Sequence, residues 1–247
     1  MGRKYKNPPI IEAVCEFRFE PGGNWDLAVP GLMFEKLKDD FPDRQPRVTF
    51  EAALTPSPKG VQQRFTRIEY LQFLRNDKTM LVEVGQHRLG VSHFKPYSNW
   101  ETFLPVIRRA LEVYRDVVQP KAYGRIGLRY VNQIEIPGTT LELEDHFNFY
   151  PFIGAQLPQD FSSFMVGVEI PQHEGRDILR LQMTTGARGT PEVVLIRLDL
   201  DCFVGKAGEV PLDGETDWLN TAHERVEAAF EGCIKDSLRE RFGEVRG

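Results

Sequence analysis

Cysteine is scarce in this chain of 247 residues: Cys15, Cys202 and Cys233 are odd in number and far apart, which excludes a disulfide framework. Each lies in an apolar pattern and is expected as a reduced core residue rather than a nucleophile or metal ligand. Long apolar runs are missing too, since nothing approaches the roughly 18 consecutive apolar residues of a membrane helix. The opening Met1-Gly-Arg-Lys-Tyr-Lys-Asn-Pro8 lacks the apolar stretch of a signal peptide, so the chain reads as cytoplasmic with no membrane partner. Positive charge is not in excess: a net charge of −5 argues against a surface that neutralises many phosphates.

Catalytic and cofactor signatures are equally sparse. The chain has no Gly-x-x-x-x-Gly-Lys-Ser/Thr loop, no Gly-x-Gly-x-x-Gly after a strand and no Gly-x-Ser-x-Gly turn, and no cofactor is expected. The five histidines, His87, His93, His146, His173 and His223, are scattered, and no His-Glu-x-x-His occurs. Glu83, His87 and His93 share a face of an apparent strand over 79–94, but extension would place the two imidazoles roughly 20 Å apart, too far for one metal. The glycine-rich segment 184–191, with Arg188, connects two predicted strands and leads into no helix, which favours a hairpin loop over a phosphate cradle.

What the chain does have is enough apolar and aromatic residues, 41% and 11%, for a large core. Ile11, Ala13, Cys15, Phe17 and Phe19 alternate with Glu12, Glu16 and Arg18, the period of a half-buried strand. Helical spacing follows over 29–41, then a strand near 47–53, a proline-rich turn, and strands over 61–75 and 79–94 joined at Asn76-Asp77-Lys78. Ser98-Asn99-Trp100-Glu101 caps a helix carrying Phe103, Leu104, Ile107, Leu111, Tyr114 and Val118 on one stripe. Beyond an aromatic connector that includes His146, Phe147, Phe149, Tyr150 and Phe152, strands are predicted over 163–171, 177–184 and 192–204. One last helix is expected to open at Asp217-Trp218 and run to Phe242.

This pattern predicts an α+β fold: a mainly antiparallel sheet of seven or eight strands, with two long amphipathic helices on one face. Two halves, 1–137 and 138–247, share the sheet, and each ends in strands followed by a long helix with a tryptophan near its start. An internal duplication would produce that, and so would two tryptophans that staple separate helix starts.

The segment 124–137 holds the most informative anomaly. As a strand it sends Ile126, Leu128, Tyr130, Asn132, Ile134 and Ile136 one way, and Arg125, Gly127, Arg129, Val131, Gln133 and Glu135 the other. Asn132 thus sits in an apolar row, where its amide needs partners from the fold or from a ligand. Arg125 and Arg129 flank Gly127, an arrangement that suits either an anion seat or an ion-pair ladder with Glu12, Glu16 or Glu69 on neighbouring strands. On the last strand, Asp199 and Asp201 alternate beside Arg197, read as a solvated face. His223 and Glu224 are adjacent on a helix, so they point about 100° apart and a partner for His223 would have to come from the sheet.

Three segments carry a resemblance. Asn7-Pro-Pro-Ile-Ile-Glu-Ala-Val-Cys-Glu-Phe-Arg-Phe19, Arg125-x-Gly-x-Arg-Tyr-x-Asn-x-Ile-x-Ile-Pro137 and the helix from Trp218 through His223-Glu224 to Phe230 together resemble a sporadically distributed family of uncharacterised prokaryotic proteins of about this length. The resemblance implies no activity, cofactor or catalytic residue.

Two expectations of function follow. One is a binding or regulatory module that engages a protein partner or a second copy of itself. The other is a small-molecule site, of a binding protein or an enzyme, for a polar or anionic ligand in the cleft between sheet and helices. For it the candidate residues are Arg125, Arg129, Tyr130, Asn132, Glu12 and His223. Nucleic acid is not favoured, because the basic residues of the last helix alternate with acids in i,i+4 spacing.

Overall fold

A computed structural model describes residues 3–57, 60–186 and 192–245, with the side chains of 51–66 left aside. The loop around Arg188 lies outside the described residues, as does the centre of the proline-rich turn. In chain order the elements are β1 (Lys4–Tyr5), β2 (Ile10–Phe19), α1 (Val29–Leu37), β3 (Asp43–Ser57), β4 (Gly60–Leu74), β5 (Met80–Gly85), β6 (Arg88–Phe94) and α2 (Trp100–Val118). Then follow β7 (Tyr123–Pro137), β8 (Met165–Gln172), β9 (Asp177–Thr185), β10 (Val193–Val204), α3 (Glu215–Cys233), α4 (Asp236–Phe242) and β11 (Glu244–Val245).

Nine strands make one antiparallel sheet in the order β3-β4-β5-β6-β2-β7-β10-β9-β8, and β1 pairs separately with β11. Reading outward, β2 is followed by the meander β6-β5-β4, and β7 by the meander β10-β9-β8, each chain segment closing with a long helix. One face of the sheet is apolar. Ala13, Cys15 and Phe17 of β2, Ile126 and Leu128 of β7 and Leu198, Leu200 and Cys202 of β10 meet Phe103, Ile107, Leu111 and Tyr114 of α2 and Trp218, Leu219, Ala222 and Val226 of α3 in one continuous core. All three cysteines are free and buried in it. The α+β expectation is met.

Helix α2 is fixed at both ends: Asn99 Oδ1 accepts from the Thr102 amide at 2.8 Å, and Gln119 caps the other end in the left-handed region before Pro120. Among the described residues, no helix is long and apolar enough to cross a membrane.

Three details depart from the sequence reading. The stretch 79–94 is a hairpin, because the chain turns at Gln86-His87 with Gly85 opposite Arg88. A side chain at Gly85 would lie 2.6 Å from the Tyr70 ring, so the bare backbone permits that corner. The turn reverses parity: His93 is buried among Tyr97 and Phe103, whereas Glu83 lies on the opposite face. Helix α1 ends at Leu37, with Leu32 exposed and Phe41 buried beyond the helix.

The last helix is broken rather than continuous. Ile234 is extended between α3 and α4 because the connector intercepts the backbone there: the Asn148 amide donates to Cys233 O at 2.8 Å, and the Lys235 amide to His146 O at 2.8 Å. Trp218 is accordingly the fourth residue of α3, not its first.

Candidate functional site

The period of two in β7 divides the sequence-predicted residues between the two faces of the sheet. Arg125, Arg129 and Glu12 line an open furrow of about 630 Å³ on the face away from the helices. Tyr130, Asn132 and His223 line a smaller cavity of about 250 Å³ on the helix side. The arginines and the amide therefore do not share a cleft.

The furrow is an ion-pair ladder. Glu16 lies between Gly90 and Gly127 on the neighbouring strands and takes Arg18 Nε at 2.7 Å, Arg88 Nε at 2.6 Å and Arg125 Nη1 at 3.2 Å. Arg125 also reaches Asp201 at 3.0 Å, and Arg129 Nε reaches Asp199 at 2.7 Å. Asp199 and Asp201 thus pair with β7 and not with Arg197, while Glu69 pairs with Arg67. The bare backbone of Gly127 is covered by the guanidinium of Arg125 itself, whose Nη1 would lie 2.7 Å from a side chain placed there. Phe203 stacks beneath it, 4.5 Å from the Arg125 guanidinium. The acids are the more deeply buried partners and the arginines cover them.

The cavity on the other face is built by residues from both halves of the chain. Its floor is Tyr130, Asn132 and Leu200; one wall is the start of α2 with Tyr97, Asn99, Trp100 and Glu101, and another is α3 with His223, Val226, Glu227 and Phe230. The segment from Tyr5 to Ile10 closes a third side.

Polar groups converge inside it. Tyr97 and Tyr130 hydroxyls are 3.1 Å apart, and Tyr130 Oη is 3.1 Å from His223 Nδ1. The Glu227 carboxylate, 4.0 Å from His223 Nε2, favours the tautomer with its proton on Nε2. In that state Nδ1 accepts from Tyr130, and Tyr130 accepts from Tyr97. The sheet does supply the partner for His223, while Glu224 points to solvent. The His223 ring is stacked on Trp100, and the Trp100 indole donates to Asn220 Oδ1 at 3.0 Å.

Burial sets the ionisation of these groups. It pushes both tyrosine hydroxyls up and brings His223 down to about 4. Burial is the main cause that raises the Glu227 carboxyl above its ordinary value, and the carboxylates of Glu231, Glu101 and Glu224 act in the same direction. Asn132 is almost fully buried; its Nδ2 donates to Leu198 O at 3.2 Å, and its Oδ1 accepts no hydrogen bond from the described residues. No group of three or more His, Cys, Asp or Glu side chains among the described residues is placed to hold a metal ion.

Trp100, Tyr97, Glu101 and Glu227 belong to this cavity and are absent from the sequence-predicted set. Glu227 carried a signal, because His223-x-x-x-Glu227 is the i,i+4 spacing of one helix face. Tyr97 carried none, since its place depends on the chain folding back over β7. In comparisons with family models and with curated proteins, the chain finds no match.

Proposed function

We propose that the protein binds a small molecule in the cavity between β7, α2 and α3. Asn132 is the observation that carries this reading. The amide sits in an apolar row with one bond from its Nδ2 to Leu198 O, and its oxygen faces a space large enough to admit a donor from outside. The convergence of Tyr97, Tyr130 and His223 on the same space adds hydrogen-bonding groups whose protons can be reordered to suit a ligand. A fragment screen on 15N-labelled protein tests the reading. Expected hits shift the Trp100 indole and Asn132 side-chain signals together; hits scattered over the surface, with those two signals unmoved, would count against it.

A second reading rests on a separate observation. β8 is an edge strand with Met165, Val168 and Ile170 exposed, and Phe152 and Leu157 of the preceding connector are exposed as well. Apolar side chains along an unpaired edge favour contact with a protein partner or a second copy of the chain. Light scattering of the wild-type protein and of Val168→Lys/Ile170→Lys distinguishes the two: a self-associating edge loses its higher species in the variant. The common plan of the two halves is in keeping with a duplicated origin, and the three free thiols with a reducing cytoplasm.

A further inference from the structure

Among the described residues, the wall of the cavity carries more negative charge than its own cations offset. Glu231 is committed, accepting from Tyr5 Oη at 2.6 Å and Arg239 Nε at 2.9 Å, with Arg3 Nε at 3.6 Å. Arg3 is further committed to Glu244 at 2.8 Å. Glu101 and Glu227 have no arginine or lysine partner among the described residues. His223 does not stand in for one, because burial keeps it neutral near pH 7. Glu101 is the second residue of α2 and lies on the wall of the cavity. Against these two carboxylates, Lys4 on the exposed rim is the one lining cation without an ion-pair partner among the described residues.

The remaining lining is aromatic. Tyr97, Trp100, Tyr130 and His223 pack against one another, with Tyr97 edge-on to Tyr130 at 5.6 Å and His223 flat on Trp100 at 4.5 Å. Aromatic faces are electron-rich and attract cations, more strongly where water is excluded. An anion entering this space would meet like charge from Glu101 and Glu227, and a neutral molecule would leave half-buried Glu227 without a cation from the described residues. An ammonium group brings the charge that Glu101 and Glu227 lack among the described residues, and N–H donors of the kind Asn132 Oδ1 accepts.

Resting on the small-molecule reading of this cavity, we propose that its ligand carries a positively charged amine, seated among Glu101, Glu227 and the rings of Tyr97 and Trp100. The volume, about eight waters' worth, fits a one-ring amine.

Titration of the full chain with 2-phenylethylamine, the neutral 2-phenylethanol and the anionic 3-phenylpropanoate, followed at the Trp100 indole signal, tests the inference. The amine is expected to bind about tenfold tighter than the alcohol, and the acid not at all. Glu101→Gln/Glu227→Gln should erase that preference while the alcohol still binds. Should the variant not fold, raising salt from about 0.05 to about 0.5 M on the wild type should weaken the amine alone. Equal binding of amine and alcohol, or preference for the acid, would overturn the amine and leave the pocket standing. Binding of none of the three would overturn both.

Discussion

The imidazole of His223 lies flat on the indole of Trp100, with ring centroids 4.5 Å apart and planes 12° from parallel. Trp100 opens α2 and His223 sits midway along α3, so this stack joins the two long helices at the rim of the cavity. The bond from the Trp100 indole to Asn220 fixes the tryptophan ring, and Tyr130 holds the imidazole from below. A ring so enclosed is poorly solvated as a cation, and for that reason burial brings it down to about 4.

Stability should therefore fall as the solution is acidified through the window from 6.5, the ordinary histidine value, to about 4. In that window the unfolded chain takes up a proton that the folded chain refuses; above it the full stability is present, and below it the contribution is lost. The loss is on the order of 3 kcal/mol at most. NMR titration of the His223 ring should give a midpoint near 4, and denaturation curves of His223→Gln should lack this slope. A midpoint near 6.5 would mean that the ring is hydrated.

Replacing Asn132 with Leu separates a structural amide from a ligand-facing one. The protein gives this side chain one bond, to Leu198 O, so the loss of stability should stay below about 1.5 kcal/mol, offset by an apolar side chain in an apolar row. Fragment binding at the Trp100 signal should disappear. A loss of stability several times larger, with binding retained, would assign Asn132 to the fold.

Asp177 behaves differently, because it is wholly buried and every oxygen is used. It accepts from Arg176 at 3.0 and 2.8 Å, Arg225 at 2.6 Å and the Trp218 indole at 3.0 Å, tying the start of β9 to α3. Burial works to raise its pKa, but these three donors outweigh it and the carboxyl is held below the usual range. Asp177→Ala should cost about 3 kcal/mol, since it leaves the part-buried Arg176 and Arg225 and the buried Trp218 indole without their acceptor. Urea denaturation of the variant measures this, and a cost under 1 kcal/mol would contradict a central role.

Strand parity and the α2 cap were legible in the sequence because each depends on neighbours a few residues apart. Asn132 in an apolar row was legible for the same reason. Of the ion-pair ladder only Arg125 with Glu16 was among the partners the sequence offered, because Asp199 and Asp201 join β7 from 70 or more positions away. The hairpin at Gln86-His87 was not, since Val84-Gly85-Gln86-His87-Arg88-Leu89 carries no Asn-Gly or Asp-Gly signal and its corner depends on Tyr70 from another strand. The break at Ile234 was hidden as well, because the residues that cause it, His146 to Asn148, lie some 86 positions upstream. Nor did sequence join Tyr97 to His223: their meeting requires β7 to lie between them, which is a fact of strand order rather than of local pattern.

The ladder yields a prediction with an internal control. Arg18 stands opposite Arg88 on one side and Arg125 on the other, three cations in one cross-strand row, where like charges directly opposite destabilise a sheet. Glu16, one row along, receives all three, and the glycines on either side leave room for the guanidinium groups to reach it. Burial alone would raise the Glu16 carboxyl, but Arg88, Arg18 and Arg125 outweigh it and hold the pKa below the ordinary value, so its contribution is present above that value and lost in acid. Glu16→Gln should cost about 2 kcal/mol, moderated by the partial exposure of the arginines, and part of that cost should return in high salt as the row of cations is screened. Glu12→Gln, at a carboxylate of the same strand without an ion-pair partner among the described residues, should change stability by less than about 0.5 kcal/mol. Urea denaturation of the two variants side by side decides the matter: if Glu16→Gln costs no more than Glu12→Gln, the three guanidinium groups do not depend on Glu16, and the furrow is freer to take an anion than its ion pairs indicate.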